Sequence, residues 1–218
     1  TIGMMRTKTL LLAAAVGVAS AATSMAQVYS VNAVGYINLE ICPGFSIIAN
    51  QLDNGDGNTV ADVLGTDLPE GTTVYDFNPD TGVYDINTLE FGEWAKPGNT
   101  LDIGKGVFIK NPGAEAATVT LVGEVPQGTL TTAVPEGFSI LASQVPQEGA
   151  LGAVLGYPED EGDMAYLFDC GTQNYKISTF EFGEWGPTVP TPMVGEGVFL
   201  KAVAAKNWTR EFSVNPTP

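Results

Sequence analysis

Two glutamates occupy the same place in a five-residue phrase that the chain writes twice, Glu90-Phe91-Gly92-Glu93-Trp94 and Glu181-Phe182-Gly183-Glu184-Trp185. A facing pair of carboxylates, Glu93 and Glu184, has the composition of an acid and base for glycoside cleavage. That chemistry needs one carboxyl protonated while the other is ionised, so their surroundings must push the two pKa values apart. Duplication works against it, because each glutamate sits in a copy of the same surroundings. The favoured reading is a structural corner, with Phe and Trp buried, Gly making the turn and Glu solvated or bonded to backbone. The expectation is that the protein is not an enzyme.

Other residue types offer further chemistry. The chain has no histidine, which excludes Ser-His-Asp triads, Cys-His nucleophiles and histidine metal sites. Gly104-Lys105-Gly106 leads into a strand and not a helix, so it is no phosphate-cradling loop. Trp94, Trp185, Tyr75 and Tyr166, joined by Tyr84 and Tyr175, could form platforms that stack on sugar rings. The competing reading, which is favoured, has them filling two equivalent cores. Asp53-Asn54-Gly55-Asp56-Gly57-Asn58 clusters oxygens on a turn, as calcium requires, with Asp53, Asp56 and Asn58 as the candidate ligands. It does not follow an EF-hand: counted from Asn54, Thr59 stands where glycine belongs and Gly65 where the bidentate glutamate belongs. No cofactor is expected, and calcium is the one candidate. Cys42 and Cys170 could form a disulfide, provided their Cα atoms come within about 7 Å.

These residues are positioned by a duplication. Val63-Leu64-Gly65 matches Val154-Leu155-Gly156, Tyr75 and Phe77 match Tyr166 and Phe168, and Tyr84 matches Tyr175. Gly104, Gly106, Val107 and Phe108 match Gly195, Gly197, Val198 and Phe199 at the same offset of 91. Gly44-Phe45-Ser46-Ile47 matches Gly137-Phe138-Ser139-Ile140 at an offset of 93, so the second copy lacks two residues after its first strand, where the Asp53 loop lies. The cysteines do not follow the repeat: Cys42 aligns with Pro135 and Cys170 with Pro79, so a bridge would join the two copies.

Each copy reads as short strands. Gly35 to Ile41, Phe45 to Leu52, Thr73 to Phe77, Val83 to Ile86, Gly106 to Lys110 and Thr118 to Val125 are the strands of the first, and Gly128 to Val134 opens the second. Asn78-Pro79-Asp80-Thr81-Gly82 supplies a turn, since proline fixes φ and glycine accepts positive φ. Val60, Val63 and Leu64, behind Asn58 or Thr59, have helical spacing, and Leu151, Val154 and Leu155 repeat it. The fold class expected is all-β: two tandem pseudo-symmetric β-sandwich or small-barrel modules, 27–125 and 126–218, each with one short helical turn.

The 218 residues carry 25 acidic and 9 basic side chains, a net charge of −16. Such an excess repels phosphates, so nucleic acid is not an expected partner. Met4-Met5-Arg6-Thr7-Lys8, the apolar run Leu10 to Ala22 and Ser24-Met25-Ala26 compose a signal peptide over 1–26, with Thr1-Ile2-Gly3 ahead of the first methionine. No second apolar span follows, so the mature protein is not expected to be membrane-integral. Secretion to the outside, the cell surface or the periplasm is the expected localisation.

"VNAVGYINLEICPGFSIIANQL", "PEGTTVYDFNPDTGVY", "GKGVFIKNP" and "PEGFSILASQVPQ" resemble stretches of secreted two-repeat β-proteins of environmental bacteria. The resemblance covers nearly the whole mature chain and implies secretion and a duplicated β-fold, with no activity attached. Tyr29-Ser30-Val31-Asn32 and Phe212-Ser213-Val214-Asn215 are near-copies of one strand element. The favoured reading takes them as edge strands, each closing its own lobe, and the competing one as the ends of a unit in a continuous array. The expected function is therefore structural, adhesive or self-assembling, with head-to-tail copies of itself or an extracellular polysaccharide as partner. The alternative is a carbohydrate-binding protein, and an enzyme of unrecognised type stands third.

Overall fold

The computed structural model describes residues 33–214. Residues 1–26, expected to be a signal peptide, together with Tyr29 to Asn32 and Asn215, lie outside the described residues.

Alternation dictates the outer strands. In β1 (Val34–Ile41) Ile37, Leu39 and Ile41 are buried while Asn38 and Glu40 are exposed. It pairs antiparallel with β7 (Ala117–Glu124), which turns Val119 and Leu121 to the same core. A second sheet contains β2 (Gly44–Ala49), β3 (Thr73–Asn78), β4 (Val83–Glu90), β5 (Glu93–Trp94) and β6 (Gly106–Asn111), in the order β2-β6-β3-β4-β5. Strand β6 is apolar along Val107-Phe108-Ile109 because both of its faces are covered.

The second module repeats this. A two-stranded sheet joins β8 (Gly128–Val134) to β14 (Lys206–Phe212). Its five-stranded partner runs β9-β13-β10-β11-β12, with β9 Gly137–Leu141, β10 Met164–Asp169, β11 Asn174–Glu181, β12 Glu184–Gly186 and β13 Val198–Ala202. In each module the first strand pairs with the last, and the two sheets enclose a core. Leu52, Leu101, Ile109 and Leu121 are central in the first, and Leu151, Leu155, Leu200 and Trp208 in the second. The modules are sandwiches, and among the described residues no sheet closes into a barrel.

Among the described residues the helical turn is present once only. In α1 (Val60–Leu64) the Thr59 side chain accepts the Asp62 N–H at 3.1 Å, and Val60, Val63 and Leu64 are buried. The expected counterpart at Leu151 to Leu155 is a run of turns and not a helix. Ala150 replaces Thr59 and cannot cap, and Gly152 replaces Ala61, which lowers helix propensity by about 1 kcal/mol. No helix among the described residues is long and apolar enough to cross a membrane.

The outer faces of the two five-stranded sheets pack together through aromatic rings. Phe77 meets Phe199 at 5.4 Å between centroids, and their equivalents Phe168 and Phe108 meet at 5.8 Å. Phe108 and Phe199 meet each other at 6.4 Å. The Ala49 N–H donates to Gly195 O at 2.8 Å, and in the mirrored bond Ala142 N–H donates to Gly104 O at 2.9 Å. Contacts that map onto one another in this way define a pseudo-twofold axis. It passes between Phe108 and Phe199 and between Gly106 and Gly197, where the missing side chains let the two backbones approach.

Candidate functional site

The repeated phrase is a hairpin turn. Leu89 pairs with Trp94 and Glu90 with Glu93, leaving Phe91 and Gly92 as the two loop residues. Their φ values are 55° and 77°, and those of Phe182 and Gly183 are 56° and 79°. Positive φ at both loop positions is the type I′ pattern, which matches the twist of the strands and favours Asn-Gly. A phenylalanine there strains the backbone by roughly 1–2 kcal/mol.

The expectation that both aromatics of the phrase are buried is wrong for the phenylalanines. Trp94 and Trp185 are 4% and 7% exposed, whereas Phe91 and Phe182 are 97% and 95% exposed. The register explains it: residues flanking a two-residue loop alternate between core and solvent, while the loop residues project beyond the sheet. Trp94 donates its indole N–H to Gly65 O at 2.8 Å, and Trp185 donates to the Glu159 carboxylate. Both tryptophans are core side chains, which removes them as ligand platforms. Glu93 and Glu184 are exposed, each paired with a second exposed glutamate of its own hairpin.

A carboxylate fixes each tip. The Phe182 and Gly183 N–H groups donate to the two oxygens of Glu161 at 2.9 and 2.8 Å. The Phe91 N–H donates to Glu70, the equivalent residue. Successive N–H groups of a positive-φ turn form a small anion-binding concavity, and here the chain fills it with its own glutamate. Each tip is thus a braced, fully exposed phenyl ring among exposed acids: Glu70, Glu90 and Glu93 around Phe91, and Glu161, Glu181 and Glu184 around Phe182.

The second feature is an aromatic cleft of about 550 Å³ where the modules meet. Phe45, Tyr75, Tyr84 and Phe108 of the first module line one wall, and Phe168, Gln173 and Tyr175 of the second line the other. Burial raises the Tyr84 phenol above its ordinary pKa. Burial, together with Tyr84, pushes Tyr175 up to about 12. Both are therefore neutral hydroxyls at physiological pH. The Lys110 ammonium lies 5.8 Å from the Phe45 ring centroid.

The cleft opens on one side of the pseudo-twofold only. On the other side Phe138 stacks on Phe199 at 5.2 Å with 23° between planes, and Tyr166 packs at 6.0 Å from Phe138 and 6.1 Å from Phe199. On the open side Phe45 stands edge-on to Phe108, at 6.2 Å and 86°. The difference traces to residues that break the repeat. Cys42 and Cys170 are joined with their Cα atoms 5.9 Å apart, across 128 residues of sequence. Beside them Gln173 accepts the Phe45 N–H and donates to Phe45 O, each at 2.8 Å. Its counterpart, Gly82, has no side chain to do this.

Of the aromatic residues proposed as platforms, Tyr75, Tyr84 and Tyr175 line the cleft, and Tyr166 lies on the closed side. Gln173, Lys110, Phe45 and the exposed tips were not singled out by sequence reasoning. The one signal that could have found the cleft is the failure of the two cysteines to follow the repeat.

The oxygen-rich loop closes on itself. Asp53 accepts the Gly55 N–H at 3.0 Å, Asn54 accepts the N–H groups of Asp56 and Asn58 at 3.0 Å, and Asn58 accepts the Asn54 N–H at 3.1 Å. Among the described residues no three acidic, cysteine or histidine side chains converge as a metal would require. No known family model, curated protein or solved structure matches the chain.

Proposed function

We propose that the protein is a secreted, non-catalytic structural or adhesive protein whose contact elements are the Phe91 and Phe182 tips. One observation carries this reading: a phenyl ring held at positive φ and 97% or 95% exposed, in both modules. Each ring forgoes about 2 kcal/mol that burial would contribute, on top of the backbone strain. Two equivalent rings that weaken the free protein are explained by a partner that covers them. The Cys42–Cys170 bridge accords with an oxidising compartment.

The test is the double variant Phe91→Asn, Phe182→Asn, since asparagine suits the turn. Retention of the purified protein on the envelope fraction of the producing cells is the readout. Loss of retention by a fully folded variant is expected, and unchanged retention would dismiss the tips as contact elements.

A second reading, carbohydrate binding, is favoured by the phenol hydroxyls of Tyr75, Tyr84 and Tyr175 in an open aromatic cleft. Polysaccharide binding that survives the tip substitutions but is lost in Tyr75→Ala would decide for it.

A further inference from the structure

We infer that the partner of the tip is a second copy of this chain, whose aromatic cleft receives Phe91 or Phe182. The inference rests on the tips being contact elements and adds what they contact.

Charge complementarity carries it. The tip is an apolar ring among three exposed carboxylates, so its socket should be apolar with a cation at the rim. The described residues of this chain supply seven cationic side chains. Lys96, Lys105, Lys176 and Lys206 are each bonded to an aspartate, and Arg210 is bonded to Ser143 and Gln147. Lys110 and Lys201 remain, both exposed and without an acidic partner among the described residues, at equivalent positions over Phe45 and Phe138.

Of these two positions, Lys110 adjoins the open cleft. Its strand neighbours are Phe45 on one side and Thr73 on the other, and the next row of that face is Phe108 and Tyr75. A cleft of about 550 Å³ admits a phenyl ring with room for its turn. Inside, the ring would find edge-to-face partners of the kind that already line the walls. Glu90 and Glu93 would then flank the rim beside Lys110.

The described residues form two tips and an aromatic cleft, so the contact joins unlike surfaces. Such a contact closes as a two-fold dimer where two molecules exchange tips reciprocally, and otherwise builds head-to-tail series or rings. The strong negative charge of the whole chain opposes association at low ionic strength. Assembly is therefore expected at physiological salt and high local concentration, as on a surface.

The experiment is sedimentation velocity of the full-length disulfide-bonded chain over a concentration series at physiological ionic strength. Dimers or larger species should grow with concentration. Phe91→Asn with Phe182→Asn should weaken association thirtyfold or more, roughly the effect of removing a hot-spot aromatic. Lys110→Glu, an exposed substitution that leaves the fold alone, should weaken it by about tenfold. Carrying Glu90→Lys, Glu93→Lys, Glu181→Lys and Glu184→Lys, a second variant should bind the Lys110→Glu molecule better than it binds itself.

A wild type that stays monomeric at the highest concentration overturns the second-copy partner. The tip reading then survives if the Asn variants still lose envelope retention. Association unaffected by the Asn double variant overturns the inference, and unchanged envelope retention besides would end the tip reading as well. Association that needs the tips but ignores both the Lys110 substitution and the charge exchange overturns the cleft as socket.

Discussion

Glu196 shows how one side chain separates the two copies. Its counterpart is Lys105, a half-buried cation bonded to Asp76 at 2.6 Å. Both lie at the module junction, where Lys105 bridges by its backbone to Leu141 and Glu196 to Ile48. Among the described residues, however, the Glu196 carboxylate has no cation beside it of the Lys105–Asp76 kind, and it accepts the Met193 N–H at 2.9 Å. Burial raises its pKa, an effect that the Met193 N–H and Lys176 only partly offset. The native carboxyl therefore holds a proton more tightly than the unfolded one. Stability falls as pH rises from the unfolded to the native pKa, and the penalty is complete above the native value. Glu196→Gln should accordingly be more stable than wild type at pH 7. The gain should fade as pH drops below the ordinary glutamate range of about 4.3. Urea midpoints of the two proteins at neutral and acid pH measure this, and equal midpoints at pH 7 would refute it.

At the scale of the element, the hairpin tip is the most informative piece of the chain. Phe91→Asn keeps the two-residue loop and places at positive φ a residue whose short polar side chain offsets the β-carbon strain by hydrogen-bonding the local backbone. The variant should gain roughly 1 kcal/mol in stability per tip, read as a rise in urea midpoint with unchanged slope. A loss of stability would mean that the exposed ring makes contacts within its own molecule. Most elements were legible beforehand because glycine, proline and asparagine punctuate them: the β3–β4 turn has Gly82 at φ 69° and its N–H bonded to Asn78 O, as its composition requires. The exposure of Phe91 was not legible, because an aromatic between glutamates reads as core until the pairing of Leu89 with Trp94 is known. The missing second helix was misread for the opposite reason. Leu151, Val154 and Leu155 kept the apolar spacing, but the cap and the first turn had changed to Ala150 and Gly152. The cleft left a single trace in the sequence, the two cysteines that break the repeat, while its shape depends on how two sheets cross and on one glutamine between them.

The whole molecule is held by the junction, and the junction depends on two glycines with ordinary backbone angles. A Cβ on Gly197 would lie 2.8 Å from Ile47 Cγ2 and 3.3 Å from the Gly106 Cα. On Gly106 it would lie 2.6 Å from Ile140 Cγ2 and 3.3 Å from the Gly197 Cα. Both clashes meet a branched side chain close to its backbone and a facing main chain, neither of which can swing away. The module cores are made of other residues, so the strain falls on the aromatic seam between them. Gly197→Ala should destabilise by roughly 1–3 kcal/mol, the range for overpacking a filled interior. Gly98→Ala serves as the control, with nothing within 4 Å of its added carbon, and should change stability by no more than about 0.5 kcal/mol. Because the modules share the seam and the disulfide, the wild type should unfold in one transition. With Gly106→Ala and Gly197→Ala together, the modules should part first and then unfold separately, giving two transitions by Trp fluorescence under non-reducing conditions. A double variant that unfolds once, at the midpoint of the control, would show that the seam does not couple the modules.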